Sequence, residues 1–84
     1  MASRETPDDK ILPRRERRRL EVRARILEAA GALFPSQGYR ATTVVELAER
    51  ADVAKKTLFN HFPTKQHVLQ ALAAEVFEDL LRDV

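Results

Sequence analysis

The sequence contains no cysteine. Disulfides, thiolate metal sites and cysteine-nucleophile chemistry are therefore excluded. Two glycines and four prolines in 84 residues argue against a turn-rich all-β fold. No apolar run approaches the roughly 20 residues of a membrane span, and residues 1–20 carry too many charges for a secretory signal. No glycine-rich phosphate loop is present. His61 and His67 stand six apart, with no third ligand at metal spacing. Ser3 and Ser36 have no base partner in the pattern, and Glu46, Glu49 and Asp52 have neither a nucleophile nor a cleft. We expect no enzyme, no catalytic residue, no metal and no cofactor.

Apolar residues make up 44% of the chain and are rich in alanine and leucine, both good helix formers. Charged residues make up 33%. The reading is a small, soluble, all-α domain of a reducing, cytoplasmic compartment. The formal net charge of +2 conceals its distribution. Residues 14–25, RRERRRLEVRAR, set seven arginines against two glutamates, a local net of +5. Residues 75–84, EVFEDLLRDV, set four acids against Arg82, a local net of −3. A solvated helix start would explain the arginines in isolation. A basic pole opposite an acidic one also fits a polyanion bound at one end, with affinity from counterion release.

Residues 1–13 carry two prolines, mixed charge and no periodicity, and we expect a flexible arm ending at Pro13. A first helix should run from about Arg14 to Phe34, with Leu20, Ile26, Leu27, Ala30, Leu33 and Phe34 at helical spacing. Pro35 should stop it, and Gly38 should turn the chain. A second helix should start at Thr43, where Thr43-Val44-Val45-Glu46 reads as a capping box. Val44, Leu47, Ala48 and Ala51 would face inward. A third helix should run from about Ala54 to His61, with Leu58 and Phe62 inward and Pro63 ending it. Thr64 should cap a fourth helix. Its apolar positions Val68, Leu69, Leu72, Ala73, Val76, Phe77, Leu80, Leu81 and Val84 repeat to the last residue. The expected architecture is a small helical bundle: a three-helix unit containing a helix-turn-helix at about 43–62, plus the start of a long fourth helix.

Two short helices joined by a tight turn behind a longer helix suit the major groove of B-DNA, where the start of the second short helix reaches base edges. The third helix opens with Lys55, Lys56 and Thr57, with Asn60 and His61 a turn later. The stretch from Arg25 to Leu69, RILEAAGALFPSQGYRATTVVELAERADVAKKTLFNHFPTKQHVL, closely resembles the N-terminal DNA-binding domain of the tetracycline-repressor (TetR) family of bacterial transcription regulators. Ile26, Leu27, Ala29, Ala30, Leu33 and Phe34 match that pattern, as do Gly38, Tyr39, Thr42, Thr43 and Val44. Leu47, Ala48, Val53, Thr57, Leu58, His61, Phe62 and Lys65 complete it.

The resemblance implies a DNA-binding set of Arg40, Thr42, Thr43, Lys55, Lys56, Thr57, Phe59, Asn60, His61 and Lys65. Thr43 would bond a phosphate as well as cap its helix. Lys55, Lys56 and Thr57 would enter the major groove, where lysine donates to guanine O6 or N7 and the threonine methyl meets a thymine methyl. His61 and Lys65 would touch flanking phosphates, and Arg40 would add a phosphate contact from its loop. The arm and the arginines up to Arg19 would reach the neighbouring backbone or minor groove. Three positions depart from the family pattern. Asp52 replaces the usual turn glycine, Ala54 replaces a capping serine or threonine at a cost of about 1 kcal/mol, and Phe59 replaces a tyrosine. A recognition helix that frays before DNA binds is the expected result.

The apolar stripe of the fourth helix extends beyond the reach of a three-helix core. We therefore expect residues 14–80 to form the DNA-binding domain, and residues 65–84 to be a linker helix towards a missing C-terminal domain, the chain being a fragment. By the resemblance, that further domain would bind a small-molecule effector and form a homodimer, and the whole would be a ligand-released repressor on a near-palindromic operator, with no membrane partner. The alternative is a helical protein-interaction module that uses the stripe of the fourth helix.

Overall fold

The computed structural model describes residues 12–83, and for Asp83 only its backbone. Four helices make up these residues: α1 (Arg14–Gln37), α2 (Val44–Ala51), α3 (Lys55–His61) and α4 (Lys65–Asp83), with no strand among the described residues. The all-α class and the helix order are as expected. Residues 1–11 of the expected arm lie outside the described residues, as does Val84.

The core forms where the apolar faces of α1 and α2 meet. Ile26, Leu27, Ala29, Ala30 and Phe34 of α1 are buried against Leu47, Ala48 and Ala51 of α2. Leu58 of α3, Phe62 after it and Val68 of α4 close the cluster. Each large side chain so buried contributes about 1.5–3 kcal/mol. Leu20 and Leu69, read as inward from spacing, are instead exposed by 49% and 36%. A periodic apolar position faces the core only where another element covers it. Among the described residues nothing covers α1 at Leu20. The first turns of α4 pack through Val68, Ala71 and Leu72. Beyond them α4 leaves the core, and Val76, Phe77, Leu80 and Leu81 are 51–61% exposed.

α1 continues through Pro35 to Gln37, past the expected stop at Phe34. A proline in the last turn forgoes a single bond, to the carbonyl of Gly31, and Gly31 is an exposed residue where water can donate to that carbonyl in place of the missing N–H. The helix ends at Gly38, whose φ of 95° suits glycine and whose N–H donates to Phe34 O at 2.8 Å.

The capping box forms as read. Glu46 N–H donates to Thr43 Oγ1 at 3.1 Å, and Thr43 N–H donates to Glu46 Oε1 at 2.9 Å. α2 ends in a Schellman motif. Asp52 takes the left-handed conformation at φ 60° and ψ 48°. Its N–H donates to Glu49 O at 3.1 Å, and Val53 N–H donates to Ala48 O at 3.0 Å. Ala54 caps α3 with no side-chain bond, yet α3 runs its seven residues. At the start of α4, His67 N–H donates to Thr64 Oγ1 at 3.2 Å, the expected cap.

Candidate nucleic-acid interface

α3 turns two sides to different environments. Leu58 is fully buried and Phe62 nearly so, which fixes the inward side. At 3.6 residues per turn, Lys56 and Asn60 then lie opposite them, on the outward face, and both are exposed. Phe59 borders this face at 37% exposure, with Lys55 Nζ 6.0 Å from its ring centroid. Thr57 is half-buried and lies to one side, lining a groove with Arg18, Val22, Arg25 and Asp52. It therefore borders the outward face, whereas Lys56 stands at its centre.

The arginine-rich end of α1 flanks the same side of α3. Arg18 lines the Thr57 groove. Arg23 stacks its guanidinium 5.6 Å above the Phe62 ring and pairs with Glu75 of α4 at 3.4 Å. His61 is half-buried nearby. Burial, reinforced by the positive charges of Arg19 and Arg23, holds its imidazole below its usual range. At neutral pH, His61 therefore carries a neutral ring with one N–H donor. Fold geometry thus places basic side chains distant in sequence beside the outward face of α3, a charge arrangement suited to a polyanion.

The opposite flank is the loop between α1 and α2. Arg40 and Thr43 are exposed there. Thr42 is not: it is fully buried, and its hydroxyl donates to Gly38 O at 2.8 Å. The Thr42 side chain, expected at the DNA, here bonds within the loop and has no exposed surface to present to a duplex. Lys65 is half-buried and its ammonium is engaged within the protein. It donates to Tyr39 O at 2.8 Å and Thr42 O at 3.0 Å, and lies 4.4 Å from the Tyr39 ring centroid. Tyr39 in turn packs edge-on against Phe34, with centroids 5.2 Å apart. Of three ammonium donors, one is left for a phosphate.

Two residues of this region have no signal in the sequence. Gln37 Nε2 donates to Glu46 Oε1 at 3.2 Å and Thr42 Oγ1 at 3.3 Å, joining the end of α1 to the capping box. With the Thr43 N–H and Gln37 donating to it, the Glu46 carboxylate is held below its usual range. Arg25, read only as one of an arginine run, donates Nε to Ala51 O at 3.0 Å and a terminal nitrogen to Asp52 O at 2.7 Å. Among the described residues no group of three or more His, Cys, Asp or Glu is placed to hold a metal ion. No helix there is long and apolar enough to cross a membrane.

Comparison with known proteins agrees with this geometry. The chain is 48% identical over 58 residues to the HTH-type transcriptional repressor KstR of Rhodococcus jostii, covering 69% of this chain and 27% of that protein. It is 47% identical over 51 residues to the HTH-type transcriptional regulator YvkB of Bacillus subtilis, covering 61% and 27%. It is 39% identical over 67 residues to the HTH-type transcriptional regulator TcmR of Streptomyces glaucescens, covering 80% and 29%. The chain thus spans about a quarter of the length of the curated relatives it matches. No solved structure matches it. Residues 26–72 match the family described as bacterial regulatory proteins, tetR family, and this segment holds the whole of α2 and α3 with the core that carries them. The chain belongs to the tetR family of bacterial regulatory proteins.

Proposed function

We infer that this chain binds double-stranded DNA sequence-specifically and is the DNA-reading part of a bacterial transcriptional regulator. The single observation that carries this reading is the outward face of α3. Lys56 and Asn60 stand there free of the core, on the second helix of a helix-turn-helix, beside the arginine-rich end of α1. Lys56 donates to guanine O6 or N7, and Asn60 is suited to adenine N6 and N7. Lys55 and Phe59 border them, Phe59 with methyl contact in place of a phosphate bond. Thr57 takes an edge position. Arg40, Thr43 and the remaining donor of Lys65 would position the duplex on one flank, with His61 and the α1 arginines from Arg14 to Arg19 on the other.

In a protein of the relatives' length, two such units would form a homodimer and occupy successive major grooves of a near-palindromic operator. A small-molecule effector bound by a further domain would change their separation and release the DNA, acting as a repressor in the cytoplasm. The names of KstR relatives as repressors support that direction.

The test is selection from a randomised duplex library, followed by titration over a range of salt concentrations. The wild-type chain should enrich a defined sequence. Lys56→Ala should lose that preference while its binding to random duplex persists. Absence of any enriched sequence from a dimerised form would overturn the reading.

A further inference from the structure

We propose that Arg25 is a positioning residue that sets the angle at which α3 is presented to DNA, a role that rests on the DNA-reading function inferred above. The last carbonyls of a helix have no partner within it. At the end of α2, the Schellman bonds satisfy Ala48 and Glu49. Two further acceptors in the turn, the carbonyls of Ala51 and Asp52, are taken by one guanidinium reaching across from α1, at 3.0 and 2.7 Å. A planar guanidinium fixes both acceptors relative to one plane. The two peptide groups that set the course of the turn are thereby tied to the axis of α1. No other side chain of α1 bonds the backbone of this turn among the described residues.

Burial of Leu58 and Phe62 fixes which side of α3 faces inward, but little besides the turn fixes the direction of its axis. The helix is seven residues long, lacks a side-chain cap and buries only Leu58 along its length. A helix this short is marginal without its surroundings. Its course is inherited from the turn that precedes it, and base readout depends on that course, since base contacts are directional. The Asp52 carboxylate is not the link. It lies 3.7 Å from the guanidinium and is 99% exposed, a geometry that contributes almost nothing. The backbone bonds carry the role.

The Arg25 side chain is also 43% exposed, so the competing assignment is a direct phosphate contact, and the experiment separates the two. Arg25→Gln and Arg25→Lys are made in the full chain. Amide hydrogen exchange is measured on the free proteins, and binding is measured to the duplex selected by the wild type and to a random duplex of equal length. Positioning predicts faster exchange over residues 53–60 in Arg25→Gln, with Ile26 and Val68 unchanged. Affinity for the selected duplex should fall about tenfold, the discrimination one aligned base contact supplies. Random-duplex affinity and the salt slope should hold. Arg25→Lys, which keeps the charge and loses the fork, should show the same pattern in milder form, and it carries the comparison if Arg25→Gln unfolds. Unchanged exchange over residues 53–60 overturns the proposal. Equal loss on both duplexes with a shallower salt slope also overturns it, in favour of a phosphate contact. If the wild type selects no duplex, the DNA-reading inference fails by itself, and the exchange measurement still decides whether Arg25 holds the turn.

Discussion

Replacing Lys65 with methionine tests whether its ammonium works mainly inside the protein. Lys65→Met keeps the length and apolar character of the side chain and removes the charge. Two charge-assisted bonds disappear, to Tyr39 O at 2.8 Å and Thr42 O at 3.0 Å, together with the ammonium 4.4 Å from the Tyr39 ring. A hydrogen bond to a charged group contributes about 1.5–3 kcal/mol. The low end applies here because Lys65 is half-buried and water can reach part of what is vacated. The ring contact adds about 0.5–1 kcal/mol. The expected loss is about 3.5–4 kcal/mol, which for a domain of this size lowers Tm by roughly 14–32 °C. Thermal unfolding followed by circular dichroism measures it. The loop from Tyr39 to Thr43 should loosen at the same time, displacing Arg40 and Thr43, so DNA affinity should fall for all sequences alike. A stability change under about 0.5 kcal/mol, the range of ordinary surface substitutions, would refute the argument and return Lys65 to the role of a free phosphate contact.

Three other perturbations have defined outcomes. Asp52→Gly should raise stability by up to about 1 kcal/mol in denaturant titration, because glycine adopts the left-handed conformation without the cost borne by a side chain. The backbone bonds from Arg25 to this turn do not depend on the residue's side chain, and a loss of stability would show that the carboxylate contributes after all. Gly31→Ala should stabilise α1 by about 0.5–1 kcal/mol, since the added methyl meets Leu72 Cδ1 at an ordinary 3.7 Å; a lower Tm would show a clash. His61 is held below its ordinary value of about 6.5 by burial and by Arg19 and Arg23. The unfolded chain therefore binds the proton more readily than the folded one. Stability should be full above about pH 6.5 and decline as pH falls through the folded-state value. His61→Gln should flatten that decline, and an unchanged pH profile in the variant would assign it to other groups.

Much of this fold was legible from residues a few positions apart. The capping box at Thr43 and Glu46, the cap at Thr64 and the left-handed turn at Asp52 all follow from interactions spanning one to five residues. Such interactions exist in the local chain whatever packs around it, so spacing and residue type determine them. Helical periodicity, with few glycines and prolines, was equally sufficient for the fold class. The stop expected at Pro35 missed because a proline's cost depends on where the carbonyl it leaves unbonded points, and solvent at Gly31 keeps that cost small.

The remaining features depend on which helix lies against which. Thr42 and Thr43 are neighbours of the same type, yet packing buries one and leaves the other exposed. Lys65 reads as a surface cation until the fold places the carbonyls of Tyr39 and Thr42 within reach of its ammonium. Arg25 is one arginine among seven in its stretch, and only the crossing of α1 over the α2–α3 turn singles it out. His61 acquires its depressed affinity for protons from burial and from α1 arginines far along the chain. The sequence alone determined the elements, their caps and the chemistry available to the outward face of α3. Tertiary structure decided which basic and polar groups remain exposed and which are engaged within the protein, because hydrogen bonding and desolvation between distant segments are set by packing and leave no periodic trace in the chain.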